Sequence, residues 1–233
     1  MTIVDPNSLA ATLDAVNEAL FLGRPLSKAQ REGAAKWIAA RQGLPGSYAG
    51  MFAPTEKDAK EGIRLFTGER LQSRGGAAHV LGEEACRALI LLDVSLVGVR
   101  DAQARACRGM VARLRAAESR EINAGRPWLG TYCCGRCTVA LWRHLAAGGL
   151  EDAERHLTAG MEALRVNRSG TGRWRRFPFH YALLALGEVK LPAAVDEMRY
   201  AAPALEGSLR RSPKDDPFDA RRRVVAQRIL AMC

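Results

Sequence analysis

Apolar residues recur three and four positions apart along most of the chain, the spacing that gives a helix one buried face. Alternating runs of Val, Ile, Thr and Tyr, which would mark half-buried strands, are scarce. Ser8 is placed to cap a helix reaching about Leu22 before Gly23. Ser27 caps a second, from Lys28 to about Gln42, closed by Gly43 and Pro45. Leu44–Pro54 reads as a loop. Thr55, with Asp58 three positions on, has the form of a capping box and opens a helix expected to last to about Gly68. Ser73–Ala78, with its paired glycines, reads as a loop before a strongly apolar helix over Val80–Leu92. A long helix is expected from Asp101 through about Ser119, and further ones over Cys133–Ala147, Glu151–Arg165 and Phe179–Val189. Pro192 suits the first turn of a helix reaching about Arg210, with Pro203 a place for a kink, and a last helix follows Asp216-Pro217. About nine or ten helices and no convincing strand make the fold class all-α.

Laid against itself at an offset of 41 residues, the second half of the chain repeats its apolar face: Leu141 falls on Ala182, Leu145 on Leu186, Leu157 on Met198 and Leu164 on Leu205. Each copy is a helical hairpin that cannot bury its stripe alone. Ala85–Leu114 has the form of an earlier, less regular unit. A repeat of this length resembles the helical hairpins of HEAT-type proteins over about residues 133–210. The resemblance rests on apolar spacing, and it implies stacked antiparallel hairpins. A compact α-α bundle or a small α/α-toroid would show the same spacing. The chain reads as one all-α domain over 1–233, with N-terminal helices over 1–72 and a hairpin-repeat part over 79–233.

A formal charge of +10 and a pI near 9.8 bear on partners rather than on fold, and they favour an anionic one. The first residues carry acids and no basic start, so no signal peptide is expected, nor a membrane span, and the cytoplasm is the expected address. Six cysteines in a chain of this length suit reduced, buried thiols better than a disulfide scaffold.

The sharpest local feature is Arg165–Arg176, RVNRSGTGRWRR, which contains no acid. Arginine forks match the paired oxygens of phosphate, sulfate or carboxylate, so Arg168, Arg173, Arg175 and Arg176 are candidate anion ligands, with Trp174 placed to stack on a ring. His180 and Tyr181 follow at the start of a helix, where anions are favoured, and are the candidate proton donors and acceptors. Cys134 and Cys137 form one CxxC, with His144 seven residues on. Without a second CxxC, and with His79, His156 and His180 scattered in sequence, these cysteines read as helix-face packing; neither metal nor cofactor is expected. Glu83 and Glu84 open the apolar helix near His79 and read as electrostatic support for its first turn.

The expected function is binding of an anionic, phosphate- or sulfate-bearing small molecule between hairpins, with an enzyme displacing or eliminating that group as one form of it. An acidic protein partner fits the charge equally. The alternatives are a nucleic-acid-binding HEAT-like protein, including one that acts on DNA bases, and a non-catalytic scaffold for another protein chain.

Overall fold

Ser8 accepts the amide of Ala11 at the start of α1 (Leu9–Phe21), and Ser27 forms a capping box with Gln30 at the start of α2 (Lys28–Ala39). The computed structural model describes every residue except Met1, Arg126, Leu129 and Tyr132. A single 3-10 turn, Tyr48–Gly50, interrupts the loop after α2. Thr55 and Asp58 make the expected capping box for α3 (Glu56–Glu61), and Asp58 also accepts the Leu9 amide at 2.8 Å and the Ser8 hydroxyl at 2.6 Å. One buried carboxylate therefore serves two helix starts.

α3 stops at Gly62 rather than running on to Gly68. Gly62 adopts φ 73°, and a Cβ there would lie 2.8 Å from the Leu71 carbonyl oxygen, so the chain turns into a short hairpin. β1 (Ile63–Arg64) pairs antiparallel with β2 (Arg70–Leu71), Ile63 opposite Leu71. The apolar residues Ile63, Leu65 and Phe66 fit a helix or a strand over so short a stretch, and the glycine decides. α4 (Arg74–Leu92) takes in the paired glycines expected to form a loop. α5 (Val97–Asn123) opens a turn before Asp101. The remaining helices are α6 (Gly135–Ala146), α7 (Ala153–Val166), α8 (Phe179–Leu186), α9 (Pro192–Leu209), which continues through Pro203, and α10 (Pro217–Met232). The fold is all-α, and no helix among the described residues is long and apolar enough to cross a membrane.

α4 runs through the middle. Every residue from Ala77 to Leu89 is buried, and α1, α2, α3, α5 and α6 pack around it. α10 packs on α8 and α9 and also returns to α1, where Arg221 meets Asp14 at 2.7 Å and Glu18 at 3.2 Å. First and last helices thus touch. A linear stack of hairpins over the whole chain, in which each unit contacts only its neighbours, would hold them apart; a closed arrangement, bundle or small toroid, brings them together.

A helix buried on all sides should be apolar on all sides. α4 is not, and its charges close into a ring. Glu84 accepts from Arg143 of α6 and, at 3.1 Å, from Asn17 of α1. Arg143 donates to both oxygens of Glu188 at 3.0 Å. Arg87 closes the circuit, donating to Glu188 at 2.7 Å and to Asn17 at 2.6 Å, and the Tyr181 hydroxyl of α8 donates to Glu84. Burial alone would raise the Glu84 carboxyl; Arg143 and Arg87, with the Tyr181 and Asn17 donors, outweigh it and hold the carboxyl below its ordinary value. Two guanidiniums against two carboxylates leave the ring neutral, the condition under which buried charge is tolerated. The ring also fixes α6 against α4, and those two helices carry the site.

Candidate metal centre in the α4–α6 seam

On α4, His79, Glu83 and Cys86 stand at i, i+4 and i+7, one above another on a single face. On α6, Cys137 and His144 have the same i, i+7 relation. The helices lie side by side in the same direction, so the His79 level meets Cys137 and the Cys86 level meets His144. The ligand atoms of His79, Cys133 and Cys137 lie within 4.8 Å of one another, and so do those of Cys86, Cys107 and His144. Glu83, fully buried, stands between: one oxygen is 3.8 Å from His79 Nε2 and the other 3.3 Å from His144 Nδ1.

Two close approaches seat this cluster. Tyr48 stacks on His79 with ring centroids 3.9 Å apart. It gets there because the 3-10 turn lies hard against α5 at Gly109, where a Cβ would sit 1.8 Å from the Ala49 carbonyl oxygen. Gly135, in the middle of the Cys-Cys-Gly-Arg-Cys run, allows the Arg176 carbonyl to lie where a Cβ would be only 2.0 Å away. The Arg-rich loop therefore ends against the N-terminus of α6, and Phe177 is held there by stacking on Trp142 at 5.2 Å.

Cys133 and Cys134 are exposed, Cys107 is partly so, and the other members are buried. Cys134 is the N-cap of α6, 3.5 Å from the Cys137 sulfur. That thiol, together with the amides of Cys137 and Arg136, brings Cys134 down to about 5 against the effect of burial, as a helix N-terminus does for thiolates. Cys107 is lowered to about 5, chiefly by the Cys86 thiol and then by His144, again against burial. Burial raises the Glu83 carboxyl, while His144, despite burial, is raised to about 9 by Cys107 and Glu83. Burial and the nearby Arg113 lower His79 to about 4, so its ring is neutral near pH 7. Cys137 and Cys86 move the other way, raised by the neighbouring Cys134 and Cys107 respectively and then by burial, so each pair holds one thiolate and one thiol until an ion displaces the proton. Cysteine sulfur and imidazole nitrogen are the donor types of a zinc-class ion.

The residues singled out from the sequence do not gather into one cleft. Arg168 pairs with buried Glu197 at 2.8 Å and lies over the Tyr200 ring, and Trp174 is buried, donating to Glu197 at 2.8 Å. Arg173 covers the Phe179 ring at 4.2 Å. Arg175 and Arg176 are exposed, at the end of the loop beside α6. His180 and Tyr181 diverge. His180 is partly buried near Glu69, Arg222 and Arg173 and lowered to about 4, by burial first. Tyr181 points into the buried ring, and its own proton is held tightly there by burial and by Glu84. A cavity of about 370 Å³ lies over the Arg87–Glu188 edge of the ring, walled by Leu20, Phe21, Leu183 and Ile229, and its charged floor is already paired.

Sequence reasoning named none of the cluster's members as site residues: it passed over His79, Glu83, Cys86, Cys107 and Cys133 and read Cys137 and His144 as helix-face packing. The signal was present: His79 and Cys86 on one helix, Cys137 and His144 on another, each pair seven apart with the order of types reversed. His79 and His144, far apart in sequence, meet across the α4–α6 seam on either side of Glu83, whereas His156 and His180 lie elsewhere. Comparison with protein-family models, with curated proteins and with solved structures found no match to this chain.

Proposed function

We propose that the protein is a metal-dependent enzyme that holds a zinc-class ion on His79, Cys133 and Cys137 and acts on a small anionic substrate. The observation that carries this reading is the convergence of those three ligand atoms, from α4 and from the segment entering α6, to within 4.8 Å of one another. Three protein ligands leave a fourth position open, the arrangement of catalytic rather than structural zinc. The open side faces outward, because Cys133 and Cys134 are exposed whereas Glu83 closes the inner side. An ion there supplies Lewis acidity and lowers the pKa of a bound water toward ~7. Arg136 on the first turn of α6 and the exposed Arg175 and Arg176 supply positive charge around this mouth, which suits the net charge of +10. The chemistry favoured is hydrolysis of a phosphate- or sulfate-type ester.

The test is hydrolysis of p-nitrophenyl phosphate and p-nitrophenyl sulfate by zinc-loaded protein. The expected result is turnover that disappears in Cys137→Ser and whose KM rises in the double variant Arg175→Ala, Arg176→Ala. Zinc bound at this site with no turnover of either ester would overturn the reading.

A further inference from the structure

Below the first group of ligands, one helical turn or two deeper along α4 and α6, the second group has a different character. Cys86 comes from α4, Cys107 from α5 and His144 from α6, with ligand atoms within 4.8 Å of one another. Cys86 and His144 are fully buried, and Cys107 is partly exposed on the α5 side. Glu83 stands beside the group without belonging to it: its oxygen lies 3.3 Å from His144 Nδ1, a hydrogen bond that fixes the orientation of the imidazole.

We infer that a second zinc-class ion binds at Cys86, Cys107 and His144 and serves a structural role. It stands on its own ligands and does not rest on the first ion. Binding is balanced by proton loss: the Cys86 and Cys107 thiols each release a proton to solvent, and His144 binds as neutral imidazole, giving up any proton it carries beyond that form. Two thiolates balance the charge of a divalent ion. With Cys86 and His144 fully buried, the ion is walled off from substrate and joins three helices.

The site answers a feature that packing alone does not. α5, 27 residues long, buries a thin stripe of Val99, Ala102, Ala106, Met110, Leu114 and Ala117, half of them alanines with little area to hold it. An ion ligated by Cys107 ties α5 to both α4 and α6. Through the position of Glu83 it also sets the inner wall of the first site.

The experiment is titration of metal-free, reduced full-length protein with cobalt(II), followed by thiolate-to-cobalt charge-transfer absorption, with bound zinc counted in parallel by elemental analysis. Wild-type protein is expected to take up two ions per chain with two break points. Cys107→Ser should keep one ion and lose roughly half of the charge-transfer intensity, because two of four thiolates remain. Cys137→Ser should likewise keep one ion, held at the inner site. Wild-type uptake of a single ion, unchanged in Cys107→Ser and abolished in Cys137→Ser, would overturn the second site and leave the first intact. One ion retained in Cys137→Ser but none in Cys107→Ser would do the reverse. If Cys107→Ser does not fold, the wild-type titration decides alone: a single break point contradicts the inference.

Discussion

Replacing Glu84 with glutamine removes one charge from a ring that is neutral only when complete. The glutamine amide keeps an oxygen for Arg143 and the Tyr181 hydroxyl, which share one carboxylate oxygen, but its NH2 replaces the oxygen that accepts from Asn17, so that bond is lost. Also lost is the second negative charge, leaving Arg143 and Arg87 to share Glu188 alone. Arg143 is 2% exposed, so water does little to screen the excess. At an effective dielectric constant near 20, one contact of opposite charges ~4 Å apart is worth ~4 kcal/mol. Part of that returns because a carboxylate no longer has to be desolvated, yet breaking a buried pair from one side typically costs ~3–5 kcal/mol. Against a domain stability of ~5–15 kcal/mol, the loss is large. The assay is urea unfolding followed by far-ultraviolet circular dichroism; urea is chosen because guanidinium salts would screen the charges. The double variant Glu84→Gln, Arg143→Met removes one charge of each sign and leaves Arg87 and Glu188 paired. It should be less destabilised than the sum of the single variants, with a coupling energy of ~1–3 kcal/mol. A Glu84→Gln loss under ~1 kcal/mol, or strictly additive losses, would refute the claim that the ring acts as one electrostatic unit.

Gly135→Ala places a Cβ 2.0 Å from the Arg176 carbonyl oxygen, a backbone collision that only separation of the loop from α6 relieves. It should cost ~1–3 kcal/mol of stability and lower zinc retention, read by thermal unfolding and elemental analysis. Gly109→Ala, with its Cβ 1.8 Å from the Ala49 oxygen, should displace the 3-10 turn and make the Tyr48 segment more susceptible to limited proteolysis; an unchanged cleavage pattern would contradict the seating described. Glu197→Ala removes the acceptor shared by Arg168 and Trp174 and should cost ~2 kcal/mol, with a red shift in tryptophan emission as Trp174 meets water. His180 is held near 4 in the folded protein against an ordinary value of 6.5, so the unfolded chain binds the extra proton first. Its contribution is complete above pH 6.5 and is lost as pH falls toward 4, with a slope of at most ~1.4 kcal/mol per pH unit, reduced by partial exposure. His180→Gln should flatten the stability profile within that window and nowhere else.

Helix class, capping and most boundaries were legible because they are local. Ser8, Ser27 and the Thr55–Asp58 pair act through groups a few residues away, and the structure shows each of them capping. The differences arise where two local readings compete. Gly62 turns an expected helix into a hairpin. Gly75 and Gly76 have the local character of a loop, yet they form the largely exposed first turn of α4, which continues from the run buried from Ala77 onward. The site was harder to read because it is assembled by contacts between residues far apart in sequence. His79 and Cys137 lie in separate helices, and nothing in either helix alone says that the two run side by side. The Arg165–Arg176 segment shows the opposite bias: its charges are conspicuous in sequence, yet Glu197 absorbs Arg168 and Trp174, and only the end of the segment reaches the mouth of the centre.

Zinc K-edge X-ray absorption on zinc-loaded full-length protein, compared with Cys137→Ser, tests the central claim most directly. The account predicts a four-coordinate first shell with sulfur at ~2.3 Å and nitrogen or oxygen at ~2.0–2.1 Å, and a smaller sulfur contribution in the variant. A sulfur-free shell, or a sulfur contribution that Cys137→Ser leaves unchanged, would contradict it.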